Sequence, residues 1–282
     1  MVPPNCALTP PPPTVLVCAG LDPTGGAGLQ ADIQVCSAFG VHSLPCMTIN
    51  TVQTTQKVFR FDSADVRLLQ QQLDALTKDC TLSAIKIGAG GSVRVLEVLA
   101  GFMRTSWIPI VIDPVFCGGG GGFLSDEDYA SFLMSELVPL ATLITPNREE
   151  LIRMTGVDTQ SEALAAIFRA GAKNVLLTGG DSPEPPGQDQ VINHLYRASP
   201  DHSIQRVQTW SSPRLAGQFH GTGCTLSTAI ACLMAQGHPL VEAIEQAERW
   251  VQTTLIHAYP IGQGQWIPNR FRVPLALKRE IS

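Results

Sequence analysis

The sequence predicts an α/β fold built on a mainly parallel sheet. Three observations carry this: short apolar runs that scarcely alternate, longer amphipathic segments between them, and a charge-poor, glycine-rich composition. Strands that are apolar on both faces are strands covered on both faces. Strand–helix alternation of this length implies right-handed βαβ crossovers. The 282 residues, 44% of them hydrophobic, suffice for one large core or two small ones. With 15% charged residues, 25 Gly and 21 Pro, the composition suits many tight βα turns.

Strands are expected at Thr14–Gly20, Leu44–Thr51, Ala84–Gly88, Ile108–Val115, Ala141–Thr145 and Asn174–Gly179. Helices are expected near Ala27–Phe39, Ala64–Lys78, Val93–Arg104, Asp126–Leu137, Ser161–Ala170, Thr222–Gln236 and Leu240–His257. The run DSPEPPGQDQ from Asp181 reads as a surface loop. Val191–Arg197 and Ile204–Trp210 read as an antiparallel hairpin at a sheet edge. Residues 1–14 are expected to form a disordered, proline-rich arm, without the basic and apolar regions of a signal peptide. Residues 15–262 form the single main domain, and 263–282 a tail expected to pack as an irregular strap. No apolar stretch is long enough to cross a bilayer.

A net charge of −5 without a Lys/Arg cluster argues against a nucleic-acid partner. Eight cysteines include no CxxC pair, which disfavours zinc and redox motifs. Several sit inside apolar runs and read as small core residues.

In open parallel sheets, ligands bind outside the carboxyl ends of the strands. The polar and glycine-rich segments fall there. The sharpest is Phe219-His220-Gly221-Thr222-Gly223-Cys224-Thr225, which runs into an apolar helix. A Gly-Thr-Gly turn opening a helix gathers free backbone N–H groups and the positive end of the helix dipole, an anion hole suited to a phosphoryl group. Cys224, in the first turn, should have its thiol pKa lowered by that dipole. Alone, the segment fits a tight turn with a packing cysteine equally well.

A second glycine-rich turn, AGLDPTGGAGLQAD, spans Ala19–Asp32 and lets a ligand approach the backbone. It is not a Walker A loop, since no Gly-Lys-Ser/Thr follows. In Thr145-Pro146-Asn147-Arg148-Glu149-Glu150, Asn147 and Glu150 can hold the waters of a hydrated Mg²⁺, or form a helix capping box, or both. Asp113-Pro114-Val115 precedes a flexible glycine run over Gly118–Gly122 that could close over substrate. Thr178-Gly179-Gly180 ends another strand and could approach a nucleotide. Gln53 offers an amide that both donates to and accepts from a pyrimidine edge.

Taken in order, AGLDPTGGAGLQAD, VQTT, KIG, DPV, TPNREE, TGG and HGTGCT resemble the hydroxymethylpyrimidine/phosphomethylpyrimidine kinases of thiamine biosynthesis, within the ribokinase-like superfamily. The resemblance runs from about Val15 to Tyr259. It implies a three-layer α/β/α sandwich without a separate lid domain, a cytoplasmic homodimer, ATP and Mg²⁺. It further implies ATP-dependent phosphorylation of 4-amino-5-hydroxymethyl-2-methylpyrimidine, and then of its monophosphate to the diphosphate.

By matching motif positions, the resemblance places Gln53 on the pyrimidine, Gly20, Ala27 and Val115 along its pocket, and Asp32 near it. It makes Cys224 the base, with Gly221, Thr222 and Gly223 as the anion hole. Asn147, Glu150, Asp113, Thr178 and Gly180 fall to ATP and Mg²⁺, the ion lying near Glu150 and Asp113 through water. The sequence departs from the pattern at Ala89, where many members carry Met, and at Thr178, where Lys is common. The glycine run also lacks the Lys that many members have there. A pyridoxal kinase and a non-catalytic pyrimidine sensor are the competing readings.

Overall fold

The computed structural model describes residues 10–118, 122–123, 128–180, 189–199 and 203–271. Of the expected N-terminal arm, residues 1–9 lie outside the described residues, as do 181–188 of the expected surface loop.

Among the described residues, eleven strands and eight α-helices build one large sheet, a small two-stranded ribbon and the layers around them. The strands are β1 (Thr14–Leu21), β2 (His42–Gln53), β3 (Val58–Ser63), β4 (Ala84–Ile87), β5 (Ile110–Ile112), β6 (Cys117–Gly118), β7 (Gly122–Phe123), β8 (Leu143–Ile144), β9 (Asn174–Leu177), β10 (Gln190–Ala198) and β11 (Ile204–Pro213). The helices are α1 (Gly28–Ala38), α2 (Val66–Asp79), α3 (Val93–Met103), α4 (Tyr129–Phe132), α5 (Arg148–Thr155), α6 (Gln160–Arg169), α7 (Thr222–Ala235) and α8 (Leu240–Ile256). The nine-stranded sheet has the order β11-β10-β9-β8-β5-β4-β1-β2-β3. Its six inner strands are parallel; β3 at one edge and β10 near the other run against them, and the edge strand β11 pairs antiparallel with β10.

Alternation along β1 explains the layers. Leu16 and Cys18 enter one core with residues of α2, α3, α5 and α6. Val15, Val17 and Ala19 enter the other, with residues of α1, α7 and α8. The sheet is thus sealed on both faces, as its non-alternating apolar strands require. Helix α7 is buried from Cys224 to Leu233.

The structure departs from the expected elements at four places. The run Ile108–Val115 yields only Ile110–Ile112 as strand, because at Asp113 the chain turns out of the sheet, Val115 N–H donating to its carbonyl at 2.8 Å. The helix expected over Asp126–Leu137 begins as α4 and continues as a π-turn over Leu133–Leu137. Strand β3 was not anticipated: an edge strand with half-exposed residues lacks a buried run to announce it. Helix α5 was anticipated only through its cap, as eight residues leave little periodicity to read. Within the glycine run, Cys117–Gly118 and Gly122–Phe123 pair as a small antiparallel ribbon.

Candidate functional site

Parallel strands point their carboxyl ends to one edge, and the expected segments meet there. Gly221 adopts φ +74° as the N-cap of α7, a left-handed conformation that favours glycine, and supplies no side-chain cap. Among the described residues, the first-turn amides of Thr222, Gly223 and Cys224 therefore have no capping side chain. The two glycine segments interlock. A Cβ on Gly221 would lie 2.1 Å from the Gly26 carbonyl oxygen and 2.9 Å from the Ala27 Cα. A Cβ on Gly28 would lie 2.1 Å from the Gly20 carbonyl oxygen. At Gly28 and Gly221, close approach is thus made by the protein's own backbone. Asp22 ties the first segment, accepting from Ala27 N–H at 2.9 Å and Thr24 N–H at 2.8 Å.

Beneath the cradle lies a buried ionic group. Lys86 Nζ sits 3.1 Å and 3.2 Å from the two Asp32 oxygens and 3.8 Å from Asp113 Oδ2, all three side chains sealed from water. Thr228 Oγ1 donates to Asp32 at 2.6 Å, and Ser227 Oγ reaches Asp113 at 3.3 Å. Burial alone would lower the Lys86 pKa, but Asp32, Cys224 and Asp113 together outweigh it and hold the ammonium charged. Asp32, expected near the pyrimidine, is fully buried and paired with Lys86.

Gly223 faces Asp113, whose Oδ1 would lie 3.6 Å from a Cβ there. Cys224 lies close enough to the Asp113 carboxyl and the Gly28 amide to feel both. The expected lowering of its pKa is reversed: burial pushes the thiol up to about 12, and Asp113 and Asp32 add to this against Lys86. A helix dipole lowers the pKa of a thiol open to water, whereas Cys224 is buried beside two carboxylates. Burial likewise raises the Asp113 carboxyl, against Lys86.

A small apolar platform adjoins this group: Ile49 and Ala89 pack with Val58, Phe61 and Val115. Gln53, at the end of β2, pairs with Val58 of this platform across the β2–β3 ladder. Gly20 presses on the same Ile49, where a Cβ would meet Cγ1 at 2.6 Å. Further along the edge, Asn147 and Glu150 form a complete capping box: Asn147 N–H donates to Glu150 Oε2 at 2.9 Å and Glu150 N–H to Asn147 Oδ1 at 2.8 Å. Asn147 bridges to Thr178 on the next strand. Arg214 grips the neighbouring turn, donating to the carbonyls of Gly180 at 2.8 Å and Gly179 at 3.0 Å.

Sequence reasoning did not single out Lys86, Thr228, Arg214 or Arg270. Lys86 stood in a quoted motif but on a strand otherwise apolar, and Arg270 in a segment without periodicity. The signal for Lys86 was a lone lysine in a fully buried strand, which demands a carboxylate partner.

A family model described as phosphomethylpyrimidine kinase matches residues 22–269. The chain is 34% identical over 266 residues to a hydroxymethylpyrimidine/phosphomethylpyrimidine kinase of Haemophilus influenzae, covering 91% of this chain and 96% of that one. It is 35% identical to the protein of that description from Synechococcus elongatus, covering 90% and 95%. Among solved structures, an ADP complex of Bacillus subtilis pyridoxal kinase superposes with TM-score 0.80 at 26% identity, covering 94% and 99%. A phosphomethylpyrimidine kinase from Clostridium difficile superposes with TM-score 0.70 at 26% identity, covering 86% and 99%. Cradle, buried ionic group and sequence agree: the chain belongs to the phosphomethylpyrimidine kinase family.

Proposed function

We propose that this kinase transfers the γ-phosphoryl of ATP to the hydroxymethyl group of 4-amino-5-hydroxymethyl-2-methylpyrimidine, and then to the resulting monophosphate, in thiamine biosynthesis. The observation that carries the reading is the uncapped N-terminus of α7, set against Cys224 and the buried Asp113. Phosphoryl transfer is mostly positioning and charge stabilisation. Thr222, Gly223 and Cys224 direct their amides at the moving group, and the α7 dipole adds to them. The platform of Ile49, Ala89 and Val115 takes the ring face, and Gln53 its polar edge.

The acceptor alcohol must lose its proton. With the thiol protonated in the resting site, Cys224 acts as a relay: its sulfur accepts the alcohol proton as its own passes to Asp113. Burial of Asp113 makes it a ready recipient. The second acceptor is already anionic and needs only alignment.

Bound Mg²⁺ would neutralise the nucleotide phosphates. It needs only one or two carboxylates besides those phosphates. No cluster of three ligating side chains exists among the described residues, which fits such a water-mediated site. Glu150 would hold it, with Asn147, Thr178 and Gly180 along the nucleotide and Asp113 lending charge from behind.

The reading carries with it a cytoplasmic homodimer; no helix among the described residues is long and apolar enough to cross a membrane. A coupled assay with the pyrimidine alcohol, following mono- and diphosphate and with pyridoxal alongside, tests it. Turnover of both pyrimidine acceptors is expected. Pyridoxal turnover alone, or pyrimidine binding without ATP consumption, overturns it.

A further inference from the structure

The strap beyond α8 returns to the cradle. His220 N–H donates to the Trp266 carbonyl at 2.8 Å, Trp266 N–H to the Gln218 carbonyl at 2.8 Å, and Asn269 N–H to the Thr254 carbonyl at 2.9 Å. This stitching delivers Arg270, which is 1% exposed. Its Nη2 donates to the carbonyls of Gly26 at 2.6 Å, Gly221 at 3.4 Å and His220 at 3.5 Å. Its Nε donates to Thr225 Oγ1 at 2.8 Å and Nη1 to Gln34 Oε1 at 3.3 Å. Among the described residues no carboxylate lies within ion-pair distance of it. Burying a cation is costly unless it is paired or held by a full set of hydrogen bonds, and here main-chain oxygens of both glycine segments take the place of a counter-ion.

Peptide planarity gives this arrangement a consequence. In a trans peptide the C=O and the following N–H point in opposite directions. The Gly221 carbonyl accepts from Thr225 N–H at 3.0 Å, from Thr225 Oγ1 at 2.7 Å and from the guanidinium at 3.4 Å, so the Thr222 amide faces the other way, into the uncapped space at the head of α7. The Gly26 carbonyl accepts from the guanidinium likewise, and the Ala27 amide faces the other way, onto Asp22. We infer that Arg270 is a positioning residue for phosphoryl transfer: it buckles the two glycine segments together, helps to hold the Thr222 amide in its aim and sets a positive charge behind the cradle. Burial lowers its pKa only to about 10, so the charge persists at neutral pH.

The inference rests on the cradle receiving the phosphoryl group, so wild-type enzyme is assayed beside the variants. Arg270→Lys keeps a charge but loses the planar fork that spans several acceptors. Its kcat should fall about tenfold for both acceptors, with the KM for the pyrimidine within about twofold, since a misaimed donor harms the transition state and not ring binding. Arg270→Met should lose about a hundredfold, and added guanidinium should restore part of kcat in Arg270→Ala. Circular dichroism and Tm identify the folded variants. Wild-type kcat in folded Arg270→Lys, or a loss confined to pyrimidine KM, overturns the inference. Absence of any wild-type turnover instead overturns the functional reading beneath it.

Discussion

His220 Nε2 lies 2.8 Å from Asp22 Oδ2, although 198 residues separate them. Both side chains are buried. The contact ties the turn after β1 to the turn before α7, and so fixes the cradle relative to the first glycine segment.

From this pair follows a pH dependence. Burial would raise the Asp22 pKa, but the His220 hydrogen bond and charge, with Thr24, hold it below the ordinary carboxylate value. A depressed carboxyl contributes stability that is present above its unfolded pKa and lost as pH falls through the folded one. Asp22→Asn should therefore flatten the fall of Tm below about pH 4. At pH 7, His220→Ala should lose about 1–3 kcal/mol by removing one buried hydrogen-bond partner of Asp22, measured by urea unfolding.

The protonated Cys224 thiol predicts chemical inertness. Iodoacetamide should alkylate it far more slowly than an exposed cysteine at pH 8, as thiolate is the reactive form. Cys224→Ala should cut kcat for the pyrimidine alcohol by about a hundredfold, and for the monophosphate much less. Equal losses in the two half-reactions would rule out the proton relay.

The Lys86–Asp32 pair predicts a non-additive cycle. Lys86→Met strands a buried carboxylate and should cost about 3–5 kcal/mol, and Asp32→Asn a similar amount. The double variant should recover part of this, because neither charge is then left alone. Chemical denaturation of the four proteins measures the coupling; strict additivity would refute it.

Glu248, on α8, accepts from Asn193 Nδ2 at 2.5 Å, and Asn193 Oδ1 accepts from the Gly179 amide at 2.8 Å. Burial pushes the Glu248 carboxyl up to about 7, against the Asn193 hydrogen bond. A carboxyl raised in the fold contributes stability below its unfolded pKa, and that contribution is lost as pH rises through about 7. Glu248→Gln should therefore gain on wild type between pH 6 and 8, by on the order of 1 kcal/mol, read as the difference in Tm across that interval.

Much of this site was legible because its parts are local. Gly221-Thr222-Gly223 at a helix start announces free amides from three adjacent residues, and Asn147 with Glu150 announces a capping box from a spacing of three. What was hidden depends on burial and on long-range contact. The Cys224 pKa turns on Asp113, Asp32 and Lys86 beneath it, none of them neighbours in sequence. Arg270 belongs to a segment without periodicity, and its role exists only because that segment crosses the head of α7. In the same way β3 is held by its partner strand more than by its own residues.

The crossing of that strap over residues 218–221 also bears on when the enzyme becomes active. A domain folds as a unit, so the cradle is finished only when residues 266–270 have docked on it. A nascent chain still short of residue 270 carries the acceptor platform without its final buckle, and its turnover should stay as low as that of Arg270→Met.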